Sequence, residues 1–508
     1  MININSKIKS GCRIFLSIII VLSSLTSLFC SCGSLKSDEN PSSANTQNNT
    51  SDPVKENTEN QSSDGKTESL NNNGTDLFDS IPKEDYGGRE FITLTTDPDF
   101  TDSETDSGIL GKELYERNRA IEEKFNIKIT ALTIDENEIQ SYLNNYGSAD
   151  SDIPACDLLY APMNIISSCG GNGLLMNIYS VPYFSFYKEY TDPELISALS
   201  QSDTTYGVYG KAAYDTRSAW CVYYNKDVLA SLGYEDPYSM VKDGTWTWDM
   251  FLSIAEASAA DLDGDGRMIR NNDRYGYSSS MNTSLFANAV FASFGKHFFS
   301  RDEEGFFKMD FAVTDEDNYV QEIRNICVSN SSKYPVQNPG SDALEAFSQG
   351  RLTFFCEKLS YASTLAYSPI NWGILPMPKR NASQTDYFSW IDSSVCGYAV
   401  PYGVQASDLS GKVLDAIYAY NYCRGENIIE LAWTYYYMRD NASAAMISQI
   451  SESAVYDAAY AFGEGMPDFS IASYELLQSV IEQNLNFTYL YTQSEQPFSD
   501  FMRREFVN

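Results

Sequence analysis

Three aspartates stand at alternate positions, Asp261, Asp263 and Asp265, with Gly266 directly after them. Hard carboxylate oxygens at that spacing can wrap one cation while the glycine takes the sharp turn, as in an EF-hand-type calcium loop. Arg267, at the seventh place, offers only its backbone carbonyl. The twelfth place holds Asn272 where glutamate is expected, so the bidentate ligand is Asp273 or is missing. A solvated acidic turn is the alternative. A nucleophile paired with histidine would have to use His297, the one histidine of the chain. It sits among Phe294, Phe298 and Phe299, a setting for structure rather than catalysis. That count also excludes a His-rich zinc site. With 69 Asp and Glu, carboxylate-pair chemistry stays open, although no pair stands out.

The chain also carries 36 Tyr, 27 Phe and 6 Trp. Flat aromatic faces and planar polar groups are what a neutral, hydroxyl-studded ring requires. Most aromatics are core, so position must choose among them. Tyr160 and Asn164 lie just past a strand end, where open α/β sheets bind ligands; a loop packed for structure is the rival reading. Asp215, Arg217 and Trp220 precede or open a strand. Asp215 can accept, Arg217 can donate as a fork and Trp220 can stack, and alternation along the strand turns at least one of them toward a ligand. Trp246 and Trp248 read as packing at a helix start.

The elements that would position these groups follow from periodicity. Residues 89–95 alternate as a strand, 110–125 carry apolar residues at helical spacing, and 127–133 form the next strand. This β-α-β start implies a parallel sheet. A helix over 139–146 and a short buried strand over 156–160 come next. Residues 218–224 are strand-like, Asn225 ends them, and Gly233 suits the end of the helix that follows. Thr247 can cap a helix over 248–259. Strands are expected near 353–356, 371–376 and 395–400, and the chain from 409 onward is mostly helical.

The first 31 residues are organised like a signal peptide. Lys7, Lys9 and Arg13 precede an apolar run over 14–29, which is short for a membrane span. The run ends in Phe29-Cys30-Ser31-Cys32-Gly33, which resembles the lipobox of bacterial lipoproteins. That resemblance implies a diacylglyceryl group on Cys32, whose two acyl chains anchor stably where one does not. Cys30 is the rival acceptor but follows bulky Phe29. An uncleaved signal anchor and an ordinary signal cut elsewhere are the alternatives. Residues 32–80 are polar and read as a disordered tether with an r.m.s. reach of roughly 40 Å. The formal charge of −34 argues against nucleic acid and against a basic lipid-binding face. Of ten cysteines, seven lie beyond the leader, and their wide spacing shows no disulfide framework or metal pairing; a single bridge such as Cys156 to Cys169 stays open.

Across 88–508 the order of motifs resembles the family 1 extracellular solute-binding proteins, the sugar-capturing components of ABC importers. The marks are Gly173-Leu-Leu175, Tyr223-Tyr-Asn-Lys-Asp-Val-Leu229, Thr245-Trp-Thr-Trp-Asp-Met-Phe251, the segment from Phe347 to Phe355, and Gly373-Ile-Leu-Pro-Met-Pro-Lys379. The resemblance implies an α/β, two-lobed periplasmic-binding-protein-like fold of type II, with a hinge of crossing strands and a helical C-terminal region. Lobe 1 would comprise 81–222 and 373–435, and lobe 2 would comprise 223–372 and 436–508. The loop of Tyr160 and Asn164 would face the cleft. Glu357 and Tyr361 would lie near the place of a stacking aromatic, Trp390 and Asp392 between hinge strands, and Trp433, with Arg439, where a late aromatic enters the cleft.

The expected function is that of a monomeric, lipid-anchored binding protein on the outer face of the cytoplasmic membrane of a Gram-positive-type bacterium. It would capture a mono- or oligosaccharide and deliver it to permease subunits, with structural calcium and no catalysis. A peptide or another small solute on the same fold, and a secreted carboxylate-pair glycosidase, are the alternatives. The sequence names neither the sugar nor the permease.

Overall fold

In the computed structural model the described residues are 74–97, 108–146, 153–188, 190–210, 213, 216–234, 237–269, 271–279, 283–310, 319–328, 342–423, 437–438 and 440–506. Twelve strands are found among them: β1 Arg89–Thr95, β2 Ile127–Thr133, β3 Leu158–Pro162, β4 Trp220–Asn225, β5 Tyr275–Ser278, β6 Phe299–Arg301, β7 Phe307–Met309, β8 Leu352–Lys358, β9 Trp372–Pro376, β10 Ser389–Trp390, β11 Cys396–Ala399 and β12 Ala454–Val455.

The first sheet has the order β11-β3-β1-β2. β1 runs parallel to both β2 and β3, and β11 is antiparallel to β3. Its β-α-β start is the expected one. The helix Gly108–Phe125 turns Leu114, Ile121 and Phe125 into the core. Asn126, at φ 46, then reverses the chain into β2. Asparagine tolerates that left-handed geometry, and here its amide also donates to Asp85 at 2.6 Å.

The second sheet has the order β5-β8-β4-β9, with β4 antiparallel to both neighbours. Asn225 both ends β4 and caps the next helix, accepting from the amides of Asp227 and Val228 at 3.1 Å. Thr247 caps the helix Trp248–Ser258, as its position after Trp246 suggests. Trp246 and Trp248 are buried, donating to Pro376 O and Ser293 Oγ.

Three expectations about segment placement shift. Residues 74–80, expected at the end of a disordered tether, are helical, and Phe78 meets Tyr420 edge-on at 5.3 Å. Leu77 and Phe78 are the reason: they are the first apolar pair after a long polar stretch and have a surface to cover. The strand expected at 156–160 lies at Leu158–Pro162. The expected lobe boundaries at 222 and 373 fall inside β4 and β9, which both belong whole to the second sheet through pairs such as Val222 with Leu375. The chain rejoins the first sheet only at β11.

The C-terminal helices, expected in lobe 2, touch both sheets' layers. Asn441–Glu452 packs on β9, Ala458–Phe462 on the helix Met163–Gly171, and Tyr474–Gln483 on the helix Thr283–Ser293. Gly171 and Gly465 let that contact form: a Cβ on Gly171 would collide with the carbonyl of Gly465. All seven cysteines beyond the leader are free, so no Cys156–Cys169 bridge forms. Among the described residues no helix is long and apolar enough to cross a membrane.

Candidate functional site

The C-terminal ends of β1, β3 and β8 meet the start of β4 and the loop from β10 to β11. Three backbone links bring them together: Ala219 bridges Ile391, Leu359 donates to Ala219 O at 2.8 Å, and Met163 donates to Val395 O at 2.8 Å. A polar floor forms there. Arg217 pairs with Asp97 at 2.6 Å. Lys358 Nζ lies 3.4 Å from Asp392 Oδ2 and 3.1 Å from Ser394 Oγ. Asp392 also accepts from Trp220 Nε1 at 3.4 Å and from the Ser394 amide at 2.8 Å. Ser218 and Ser394 share a hydroxyl contact at 3.2 Å. Asn164 donates its backbone N–H to Ser393 O at 3.1 Å, while its side-chain Oδ1 is buried without a hydrogen-bond partner.

Charge on this floor is balanced. Each of the two cations faces a carboxylate, and both pairs are largely shielded from solvent. Burial works to lower the Arg217 pKa, but the Asp97 carboxylate at 2.6 Å opposes it, and the guanidinium stays charged.

Beside the floor runs a column of five rings. Phe286 stacks on Trp220 at 6.3 Å, Trp220 meets Trp390 at 5.8 Å, Trp390 meets Tyr460 at 5.1 Å, and Tyr460 stacks on Tyr474 at 5.0 Å. It joins β4, β10 and the C-terminal helices. The Asn288 amide lies beside the Tyr460 hydroxyl, in a geometry that leaves Asn288 Oδ1 and the hydroxyl without a well-formed hydrogen bond.

The sequence-derived site residues therefore separate. Asn164, Arg217 and Asp392 come together on the floor. Trp220 and Trp390 are buried among other rings, so in this structure they pack rather than offer a stacking surface. Tyr160 is fully buried, donates to Ala213 O at 2.8 Å and leans on Tyr398. Glu357 is buried within β8 and accepts from the Lys358 amide at 2.9 Å. Tyr361 is half-buried, edge-on to Phe355 at 5.5 Å. Asp215, Trp433, Arg439 and Cys32 lie outside the described residues. Lys358, Asp97 and Ser394 were not singled out from sequence; the one available signal was that Lys358 is the basic residue at the end of a largely buried strand.

In the acidic loop, Asp261, Asp263 and Asp265 each bring a carboxylate oxygen within 4.8 Å of the others. Asp261 accepts from Gly264 N at 2.6 Å and Gly266 N at 2.7 Å, which shapes the turn. Asp273 does not join them. It is fully buried and accepts from Leu262 N at 2.8 Å and Ile269 N at 2.5 Å, pinning both ends of the loop. Arg267 is exposed, and its amide donates to Asp265 at 2.7 Å. Three convergent hard oxygens fit a calcium ion in donor type. A cavity of about 470 Å³ lies elsewhere in the first lobe, lined by Leu77, Ile81, Phe125, Tyr183, Lys188 and Lys412 among others, and no floor residue lines it.

No family model and no curated protein matches the sequence. Solved structures do match. A maltose/maltodextrin-binding domain from Bdellovibrio bacteriovorus bound to maltotriose aligns with TM-score 0.51 and 14% identity, over 82% of this chain and 100% of that one. An ABC substrate-binding protein from Listeria monocytogenes in complex with cycloalternan aligns with TM-score 0.51 and 15% identity, over 82% and 99%. The galacto-N-biose-/lacto-N-biose I-binding protein of the Bifidobacterium longum ABC transporter aligns with TM-score 0.53 and 12% identity, over 84% and 99%. This chain has the two-lobed, periplasmic-binding-protein-like α/β fold that these structures share.

Proposed function

We propose that the protein is a lipid-anchored binding protein that captures a carbohydrate between its lobes and hands it to an ABC importer permease. The polar floor is the observation that carries this reading. It lies where open α/β sheets take ligands, and it offers hydroxyl, amide and ammonium groups with no uncompensated cation. An anionic ligand would need a free positive charge; Arg217 and Lys358 are both neutralised by carboxylates. A neutral polyhydroxyl ligand suits such a surface. The neighbours of like fold include proteins solved with maltotriose, cycloalternan and lacto-N-biose, which supports the same class.

The test is a thermal-shift screen of the full chain against mono- and oligosaccharides, amino acids and peptides. Saccharides are expected to raise the melting temperature. A shift by peptides alone sinks the carbohydrate reading, and turnover of chromogenic glycosides sinks the binding-only one. For the acidic loop we propose a structural calcium ion held by Asp261, Asp263 and Asp265, with Asp273 bracing the loop rather than ligating. Melting is then expected to depend on calcium against chelator.

A further inference from the structure

We propose that Lys358 and Asn164 form a donor–acceptor pair that reads two neighbouring hydroxyls of the captured ligand. This rests on the carbohydrate reading and assigns the groups that would carry it. A lysine ammonium has three protons to donate. One of those on Lys358 goes to Ser394 Oγ at 3.1 Å, and the ammonium also lies 3.4 Å from Asp392 Oδ2 as an ion pair. That leaves donor capacity for a ligand, and the side chain is still 16% exposed. Asn164 presents the opposite need, a buried amide oxygen with nothing donating to it.

The same short loop holds both. Ser393 O accepts from the Asn164 backbone N–H at 3.1 Å, and the next residue, Ser394, holds Lys358. One residue ends β8 of the second sheet; the other opens the helix that follows β3 of the first. A ligand touching both would therefore bridge the two sheets' layers. A hydroxyl both donates and accepts, so adjacent hydroxyls on a sugar ring can answer the two groups: one accepts from Lys358 while its neighbour donates to Asn164. Asp392 and Ser394 act here as positioning residues, holding the ammonium so that its remaining donor capacity is aimed rather than mobile.

The experiment titrates maltotriose, cellotriose, mannobiose and lacto-N-biose into the full chain and into the variants Asn164→Ala, Lys358→Met and Lys358→Arg. Monodeoxy forms of the saccharide that binds are titrated alongside. Lys358→Met strands the buried Asp392 carboxylate, so Lys358→Arg, which keeps the charge but redirects the donors, guards against a folding artefact. The expected result is binding by the unaltered chain that weakens about tenfold in Asn164→Ala and in Lys358→Arg, with melting temperatures unchanged. Removing one particular ligand hydroxyl should then weaken the unaltered chain and leave Asn164→Ala indifferent, which a structural role for Asn164 would not produce. Binding by the unaltered chain that survives equally in Asn164→Ala and Lys358→Arg overturns this assignment and leaves the proposed function standing. No binding of any of the four saccharides by the unaltered chain overturns both.

Discussion

Trp220 is wedged between Phe286 and Trp390, with its indole N–H on Asp392. Replacing it with alanine removes a fully buried ring from the middle of a five-ring column. The expected loss is about 3–5 kcal/mol of folding stability, read by urea denaturation. A ligand-stacking tryptophan would behave differently, losing affinity while leaving the urea midpoint in place. Sequence alternation offered Trp220 as a stacking residue at the start of β4. It could not say that the layer covering its ring is protein, because Trp390 and Tyr460 arrive from segments far along the chain. Lys358 teaches the converse: its neighbours Glu357 and Tyr361 have the side chains usually suspected, yet the lysine is the one held at the strand end facing the floor.

At the scale of elements, β1, β2 and the helix between them were legible because each carries one clean period and the connection is short. β4 and β9 were legible as strands, but not as members of one sheet; their pairing is antiparallel and spans most of a lobe. The acidic loop shows the same limit. The spacing of Asp261, Asp263 and Asp265 was readable. The role of Asp273 was not, since it turns inward to bind the amides of Leu262 and Ile269. If calcium occupies the loop at a hundredfold excess over its Kd, folding gains about 2.7 kcal/mol. The melting temperature of the full chain should then rise with calcium and fall with chelator, and Asp263→Ala should abolish that difference. Identical melting curves in calcium and chelator would remove the ion from the loop.

For the whole molecule, the proposed function would link anchoring to capture. A binding protein on a cell without an outer membrane is lost to the medium unless it is tethered, and two acyl chains hold where one does not. Cys32→Ser is expected to move the protein from the membrane fraction to the culture medium, read by blotting both. Retention of the variant on the membrane would shift the anchor to Cys30 or to an uncleaved leader. A formal charge of −34 argues against electrostatic attachment to an anionic membrane in place of the lipid.

The amino-acid order alone determined the α/β class, the parallel start of the first sheet and the place of Asn164, Arg217 and Asp392 beside strand ends or crossings, and it carries the proposal of a leader ending at Cys32. These are local properties, set by periodicity, capping chemistry and short connections. Only the tertiary structure decided that Trp220 and Trp390 are packed between rings, that Asp273 braces a loop, that residues 74–80 are helical, and that Lys358 and Asn164 share one loop. Each of those depends on which distant segment covers a given face. Periodicity shows that a face is apolar, or that a charge is placed at a strand end; it carries no information about what lies opposite.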